Sequence, residues 1–221
     1  MTSILIPLYN GIEFIEESVG SVLYQTFTDW ELIIGVNGHP ENSPVYQIAK
    51  EYEKKSNKIR VFDFHTIKGK SNTLNEMLKY CNYDYVALLD VDDIWFPEKL
   101  MVQSKYMGKY DVIGTWCVYF GDRDNSPFIP LGDISDYDFF SGNPVINSSS
   151  VIRKSLCFWE GKFDVEDYNL WLTLRKQNKK FYNCHEVLIK HRIHSASYFN
   201  TQGNDLKGKE LLNLHRNSGN K

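Results

Sequence analysis

The densest concentration of chemically capable side chains is Leu89-Asp90-Val91-Asp92-Asp93. Three carboxylates within four positions repel one another unless positive charge sits among them. Their natural use is to hold a hard divalent cation, Mn²⁺ or Mg²⁺, with phosphate oxygens completing its shell. The run would equally serve as an acidic turn before a helix, because Asp is common in turns and favours helix N-termini. Its place after an apolar stretch favours the site.

Three further groups are capable of chemistry. In Phe163-Asp164-Val165-Glu166-Asp167-Tyr168-Asn169-Leu170-Trp171, Asp167 stands at the start of an apolar helix able to pin it. A carboxylate so held either accepts a proton as a general base or caps the helix through its free N–H groups. Lys68-Gly69-Lys70-Ser71-Asn72-Thr73-Leu74-Asn75 sets two lysines and a glycine at a helix start. That arrangement suits phosphate, though the spacing is not that of a P-loop, and a solvated loop carries the same residues. In His191-Arg192-Ile193-His194-Ser195, strand alternation puts His191 and His194 on opposite faces. His194 is a candidate metal ligand or proton donor, or a plain surface histidine.

The elements around these groups read as alternating strands and helices, the pattern of a parallel sheet covered on both faces. Strands are predicted at Ile4 to Leu8, Glu31 to Val36, Ile59 to Phe64 and Tyr85 to Leu89, the last apolar on both faces and therefore central. Helices are predicted at Glu13 to Gln25, Pro44 to Lys55 and Lys70 to Cys81, and after Pro97. The acidic run then lies at the carboxyl end of the fourth strand, the edge where open α/β sheets bind ligands. Beyond Asp111 the spacing is irregular, with strands at Val112 to Tyr119, Val145 to Ile152, Phe181 to Cys184 and Val187 to Ile193. A helix at Asp167 to Lys176 puts Leu170, Trp171 and Leu174 on one face. A single domain over 1–205 is expected, with halves at 1–110 and 111–205 and a polar, disordered tail at 206–221.

The chain has 221 residues, 42% of them hydrophobic and 24% charged, an ordinary globular composition. A net charge of −3 supplies no field for collecting nucleic acid. Cys81, Cys117, Cys157 and Cys184 form no C-x-x-C pair and read as reduced, buried thiols. No apolar run approaches the roughly 20 residues of a membrane span, and the start lacks a signal peptide's basic region. The expectation is a cytoplasmic protein, with peripheral membrane attachment and self-association left open.

Taken in order, these pieces resemble the family 2 glycosyltransferases over about Ser3 to Ser197. The resemblance rests on Ile6-Pro7-Leu8-Tyr9-Asn10, Ser21-Val22-Leu23-Tyr24-Gln25-Thr26 and Trp30-Glu31-Leu32-Ile33-Ile34. It continues through Asp90-Val91-Asp92 with Trp95 and Pro97-Glu98-Lys99-Leu100, then Glu166-Asp167-Tyr168, Leu170-Trp171-Leu172 and Arg192-Ile193-His194. It implies a GT-A fold, α/β and Rossmann-like, with a mostly parallel central sheet flanked by helices. It also implies roles. Pro7, Leu8, Tyr9, Asn37, Lys70, Asp90 and Val91 would meet the nucleotide, and Asp90, Asp92 and His194 the metal. Asp167 would be the base, and Glu166 and Trp171 would face the acceptor.

Where the family usually has Asp-Asp-Gly-Ser, this chain has Val36-Asn37-Gly38-His39, so the acid that holds the nucleobase is missing. Asn37 still offers a donor and an acceptor to a base edge. A second departure is Leu74-Asn75 in place of Arg-Asn. The implied reaction is inverting transfer from a nucleoside-diphosphate sugar, foremost a UDP-sugar, to a glycan, glycoprotein or lipid-linked acceptor. Asn147-Ser148-Ser149 is expected to help shape the acceptor pocket. The alternatives are a binding module on the same fold that has lost turnover and a D-x-D phosphohydrolase.

Overall fold

The computed structural model describes residues 1–162, 165–195 and 204–217; Phe163, Asp164 and Ser197 lie outside the described residues. Four parallel strands form first: β1 (Thr2–Leu8), β2 (Trp30–Asn37), β3 (Ile59–Phe64) and β4 (Tyr85–Leu88). They alternate with α1 (Ile15–Leu23), α2 (Pro44–Lys50) and α3 (Lys70–Met77). Ile4, Leu5, Ile6 and Leu8 are all fully buried, as a strand covered on both faces requires. One face carries Ile4, Ile6, Leu32 and Ile34 against Ile15, Val19 and Val22 of α1, spaced at helical period. The other carries Leu5, Ile33 and Val86 against Leu74 and Met77 of α3.

The second half adds β5 (Ile94–Trp95), α4 (Lys99–Ser104), β6 (Val112–Gly121), β7 (Gly132–Asp133), β8 (Val151–Arg153), α5 (Glu166–Lys176) and β9 (Phe181–Ile193). The strand order is β3-β2-β1-β4-β8-β6-β9-β5, with β7 also on β9. Strand β4 is therefore central, as its two-sided apolar pattern predicts. Strand β8 runs antiparallel between β4 and β6, so the two halves share one sheet rather than meeting at a joint. The chain beyond β4 thus mixes directions, while β6 and β9 run parallel.

Three expectations need correction. The strand expected over Val145 to Ile152 is only Val151–Arg153, because Asn147–Ser149 tighten into a 3₁₀ turn first. The two late strands are one, β9, kept continuous by a bulge: Thr115 pairs with Cys184 but Trp116 with Val187. The polar tail expected to be disordered contains a helix, α6 (Asn204–Asn217). Leu211 is 1% exposed in the α5-side core and Leu212 packs against that core. Nε2 of His215 lies 2.8 Å from Oδ1 of Asn169, and Lys176 donates to the carbonyl of His215 at 2.6 Å. Leu211 and Leu212, these end contacts and Arg216, 5.5 Å over the Phe140 ring, dock a helix of largely polar composition. All four cysteines are free and buried, and burial pushes their thiols up, Cys81 to about 11 and Cys117 and Cys184 to about 12.

Candidate active site

Strand β4 ends at Leu88, and the chain turns sharply, the Asp93 amide donating to the carbonyl of Asp90 at 3.0 Å. The turn presents three carboxylates with three different fates. Asp90 accepts from the Lys70 ammonium at 2.6 Å on Oδ1 and from the Asn147 amide at 2.9 Å on Oδ2. The Ser148 hydroxyl accepts from the backbone amide of Asp90 at 3.1 Å. Burial would raise the Asp90 carboxyl, but Lys70 and then Asn147 hold it below its ordinary value.

Asp93 is fully buried and does not merely begin the next helix. Its oxygens take the Arg192 amide at 2.8 Å and Nδ1 of His191 at 3.0 Å, tying the end of β9 to the turn. Burial works against protonation of His191, yet Asp93, backed by Asp92 and Asp90, raises it to about 9. This pair was not legible in the sequence, where Asp93 and His191 are 98 positions apart.

Asp92 is partly exposed and is paired with a histidine rather than a lysine. Oδ2 lies 3.1 Å from Nε2 of His194, and both side chains are 23% exposed. Burial first, then Asp93 and Asp90, push the Asp92 carboxyl up. Such a carboxylate is the one that an added cation would relieve most. Both histidines reach the acidic run, despite the opposite faces expected from strand alternation, because β9 ends at Ile193 and His194 lies beyond it.

The second focus lies at the start of α5. Lys70, the first residue of α3, also contacts Glu166 Oε1 at 3.1 Å, so one ammonium bridges Asp90 to α5. Burial alone would lower Lys70, but Asp90 and Glu166 hold it well above its ordinary value. Glu166, expected to face the acceptor, pairs with that lysine and keeps 13% of its side chain exposed. Asp167 follows it, half-buried, and is not the N-cap: that position is Val165. Asn143 Nδ2 donates to Asp167 Oδ2 at 3.0 Å. Burial, then Glu166, push Asp167 up to about 6, against Lys70, the Tyr168 amide and Asn143. A carboxyl in that range is well matched to accepting a proton near neutral pH.

The rim beside the ends of β1 and β2 is laced by its backbone. His39 Nε2 sits 2.5 Å from the Tyr9 carbonyl, and the two rings stand 5.2 Å apart. Gly38 has φ +72 and lies under Tyr9, whose ring carbons would be 3.0 Å from any Cβ there. Gly11, at φ +89, leaves only 2.8 Å between its hypothetical Cβ and Val91, which packs the acidic turn against the end of β1. Tyr9 is 54% exposed, Asn37 buried at the strand end and Pro7 partly buried. Leu8 is fully buried, so only its main chain faces the rim.

Two assignments need correction. Trp171 is fully buried and donates to the Val145 carbonyl at 3.2 Å, so it cannot touch an acceptor; its ring belongs to the core. Asn147 and Ser148 stand behind Asp90 rather than lining an acceptor pocket, and Ser148 and Ser149 are fully buried. Asn143 was missed altogether. The one signal near it was the Asn147-Ser148-Ser149-Ser150 run that follows, in a segment otherwise rich in Gly and Pro.

The profile of the family described as Glycosyl transferase family 2 matches residues 3–165. The UDP-Glc:alpha-D-GlcNAc-diphosphoundecaprenol beta-1,3-glucosyltransferase WfgD of Escherichia coli is 29% identical, over 94% of this chain and 83% of the relative. Among solved structures, Staphylococcus aureus TarS 1-349 in complex with UDP-GlcNAc superimposes with a TM-score of 0.75 at 16% identity, covering 97% of this chain and 66% of that one. The mannosyltransferase PcManGT of Pyrobaculum calidifontis, in complex with GDP-Man and Mn²⁺, gives 0.73 at 12% identity, covering 99% and 63%. This chain therefore spans just under two thirds of those solved chains, and its fold is GT-A.

Proposed function

We propose that this chain, which belongs to glycosyl transferase family 2, moves a sugar from a nucleoside-diphosphate sugar to an acceptor hydroxyl with inversion. The observation that carries the reading is the pairing of Asp167, held by Asn143 and raised to about 6, with the Lys70–Asp90 bridge at the sheet edge. The acceptor oxygen attacks the anomeric carbon while its proton passes to Asp167. The bond from that carbon to the diphosphate breaks, and the diphosphate leaves with the electron pair. Lys70 would offset the negative charge gathering on the leaving group, a role supported by its ammonium standing beside Asp90. The exposed Tyr9 ring would stack on a base, with the amide of Asn37 at the end of β2 available to its edge.

A divalent cation, Mn²⁺ or Mg²⁺, fits this donor set in a particular way. Among the described residues no group of three or more His, Cys, Asp or Glu side chains is arranged to hold a metal. Asp92 and His194 do converge, and such ions commonly bind through one or two protein groups plus substrate phosphates. Asp92 and His194 would hold the cation, which would supply charge stabilisation to the diphosphate, while both oxygens of Asp90 already have protein partners. A UDP-sugar donor is supported by the relatives that name one, and a lipid-linked glycan acceptor by WfgD. No helix among the described residues is long and apolar enough to cross a membrane.

The test is a thermal-shift screen of UDP- and GDP-sugars with and without Mn²⁺, followed by determination of product anomeric configuration. A bound donor raises the melting temperature by mass action. No shift from any donor, or a product of retained configuration, would sink the reading.

A further inference from the structure

The segment Asn143–Ser149 touches both working carboxylates, Asn143 through Asp167 and Asn147 with Ser148 through Asp90. Behind those contacts every main-chain carbonyl from Pro144 to Ser149 is taken. Pro144 accepts from the Asn183 side chain at 2.8 Å and Val145 from Trp171 Nε1 at 3.2 Å. Ile146 and Asn147 accept from the amides and hydroxyls of Ser149 and Ser150. Ser148 accepts from Trp95 Nε1 at 2.8 Å and Ser149 from Gln103 Nε2 at 2.8 Å.

The four side-chain donors come from four separate elements, β9, α5, β5 and α4, and none is more than 3% exposed. Gln103 is itself fixed by the buried Lys99, which donates to its Oε1 at 2.8 Å and lies 3.8 Å over the Trp95 ring. Asn183 fits only because residue 114 is glycine: a Cβ there would stand 2.1 Å from Asn183 Oδ1. An irregular segment normally runs on the surface because its buried polar groups go unsatisfied. Here the fold supplies a donor for each main-chain carbonyl, leaving Asn147 Oδ1 as the segment's buried side-chain oxygen without a partner among the described residues.

We infer that this segment is a rigid strap that sets the position of one carboxylate relative to the other, with Trp171 and Trp95 as its positioning residues. This rests on the reading of Asp90 as a donor-side group and Asp167 as the base. Trp171 pins the strap next to Asn143, and so acts through Asp167. Trp95 pins it at Ser148, and so acts through Asp90. Losing either indole N–H frees one buried carbonyl and lets its end of the strap shift, and a shift of about 1 Å at a reacting group is enough to cost about a hundredfold in rate.

The two pins therefore differ in what they control. Trp171→Phe should lower kcat about tenfold or more and leave calorimetric binding of UDP-glucose or UDP-N-acetylglucosamine within threefold. Trp95→Phe should weaken that binding about tenfold. Trp171→Phe should cost little further in an Asn143→Ala background, and Trp95→Phe little further in Asn147→Ala, since each pair acts along one path. Trp30→Phe, a buried indole on β2, is the control. A purely structural role for the indoles would lower both parameters together in both variants, with additive double mutants, and that result would overturn the strap.

If the wild-type chain neither binds nor transfers any sugar nucleotide, the transferase reading fails and the strap is judged by amide exchange. Both Trp variants must then raise exchange at Ser149 and Ser150 above the Trp30→Phe control. Unchanged exchange there overturns it.

Discussion

The Lys70 ammonium lies 2.6 Å from Oδ1 of Asp90 and 3.1 Å from Oε1 of Glu166, so one side chain joins α3, the acidic turn after β4 and α5. The pairing is partly exposed, with side-chain exposures of 36% for Lys70 and 26% for Asp90. Lys70→Met removes the charge and keeps the stem. It is expected to cost about 1–2 kcal/mol of stability, less than a fully buried pair would, and to weaken nucleotide-sugar binding about tenfold. Urea unfolding and calorimetry would check both, and donor binding equal to wild type would contradict the assigned role.

Asp167→Asn is expected to lower transfer by at least about a thousandfold with donor affinity nearly unchanged, since only proton acceptance is removed. Stability moves the other way. Burial raises the Asp167 carboxyl from an ordinary value of 3.8 to about 6, so the folded chain binds this proton more tightly than the unfolded one. Its ionisation costs stability progressively as pH rises from about 4 through 6, and the cost is complete above 6. The variant should therefore melt above wild type at pH 7 and lose that advantage near pH 4. Calorimetric melting across that range is the measurement, and a lower melting temperature at pH 7 would count against it.

In wild type, kcat/KM should fall as pH drops through about 6, as Asp167 takes up the proton it needs to be without. A rate profile flat down to pH 5 would mean another base or another rate-limiting step.

Gly11→Ala is expected to destabilise the chain by about 2 kcal/mol. The residue stands at φ +89, and an added methyl would approach Val91 Cγ1 to 2.8 Å. Because Val91 sits between Asp90 and Asp92, donor affinity should fall as well. Gly20→Ala, within α1 and with nothing near its added methyl, should be neutral or slightly stabilising and serves as the control.

Leu211→Ala in α6 should cost about 2–4 kcal/mol, as for any fully buried leucine. Denaturant unfolding measures it. A change below about 0.5 kcal/mol would mean that the helix is not docked on the core.

By itself, the sequence determined the four parallel strands, their helices and the place of the acidic run at the carboxyl edge of β4. Those features follow from local hydrophobic period and from strands buried on both faces, which few residue types can satisfy. It also marked Asp92, Asp167 and His194 as groups capable of chemistry. Only the tertiary structure decided what each carboxylate is paired with. Asp93 belongs to His191 and Asp90 to Lys70 and Asn147, across separations of 98, 20 and 57 positions that leave no local pattern.

Burial decided the rest. Trp171 looks the same in sequence whether its indole faces an acceptor or a carbonyl behind the site, and Val145 claims it. The α6 helix was invisible for a similar reason, since its polar composition says nothing of the surface that Leu211 covers. Hydrophobic period fixes which face of an element turns inward. Which distant partner meets it is set by how the whole chain closes, and that is where the acidic run acquires its separate roles.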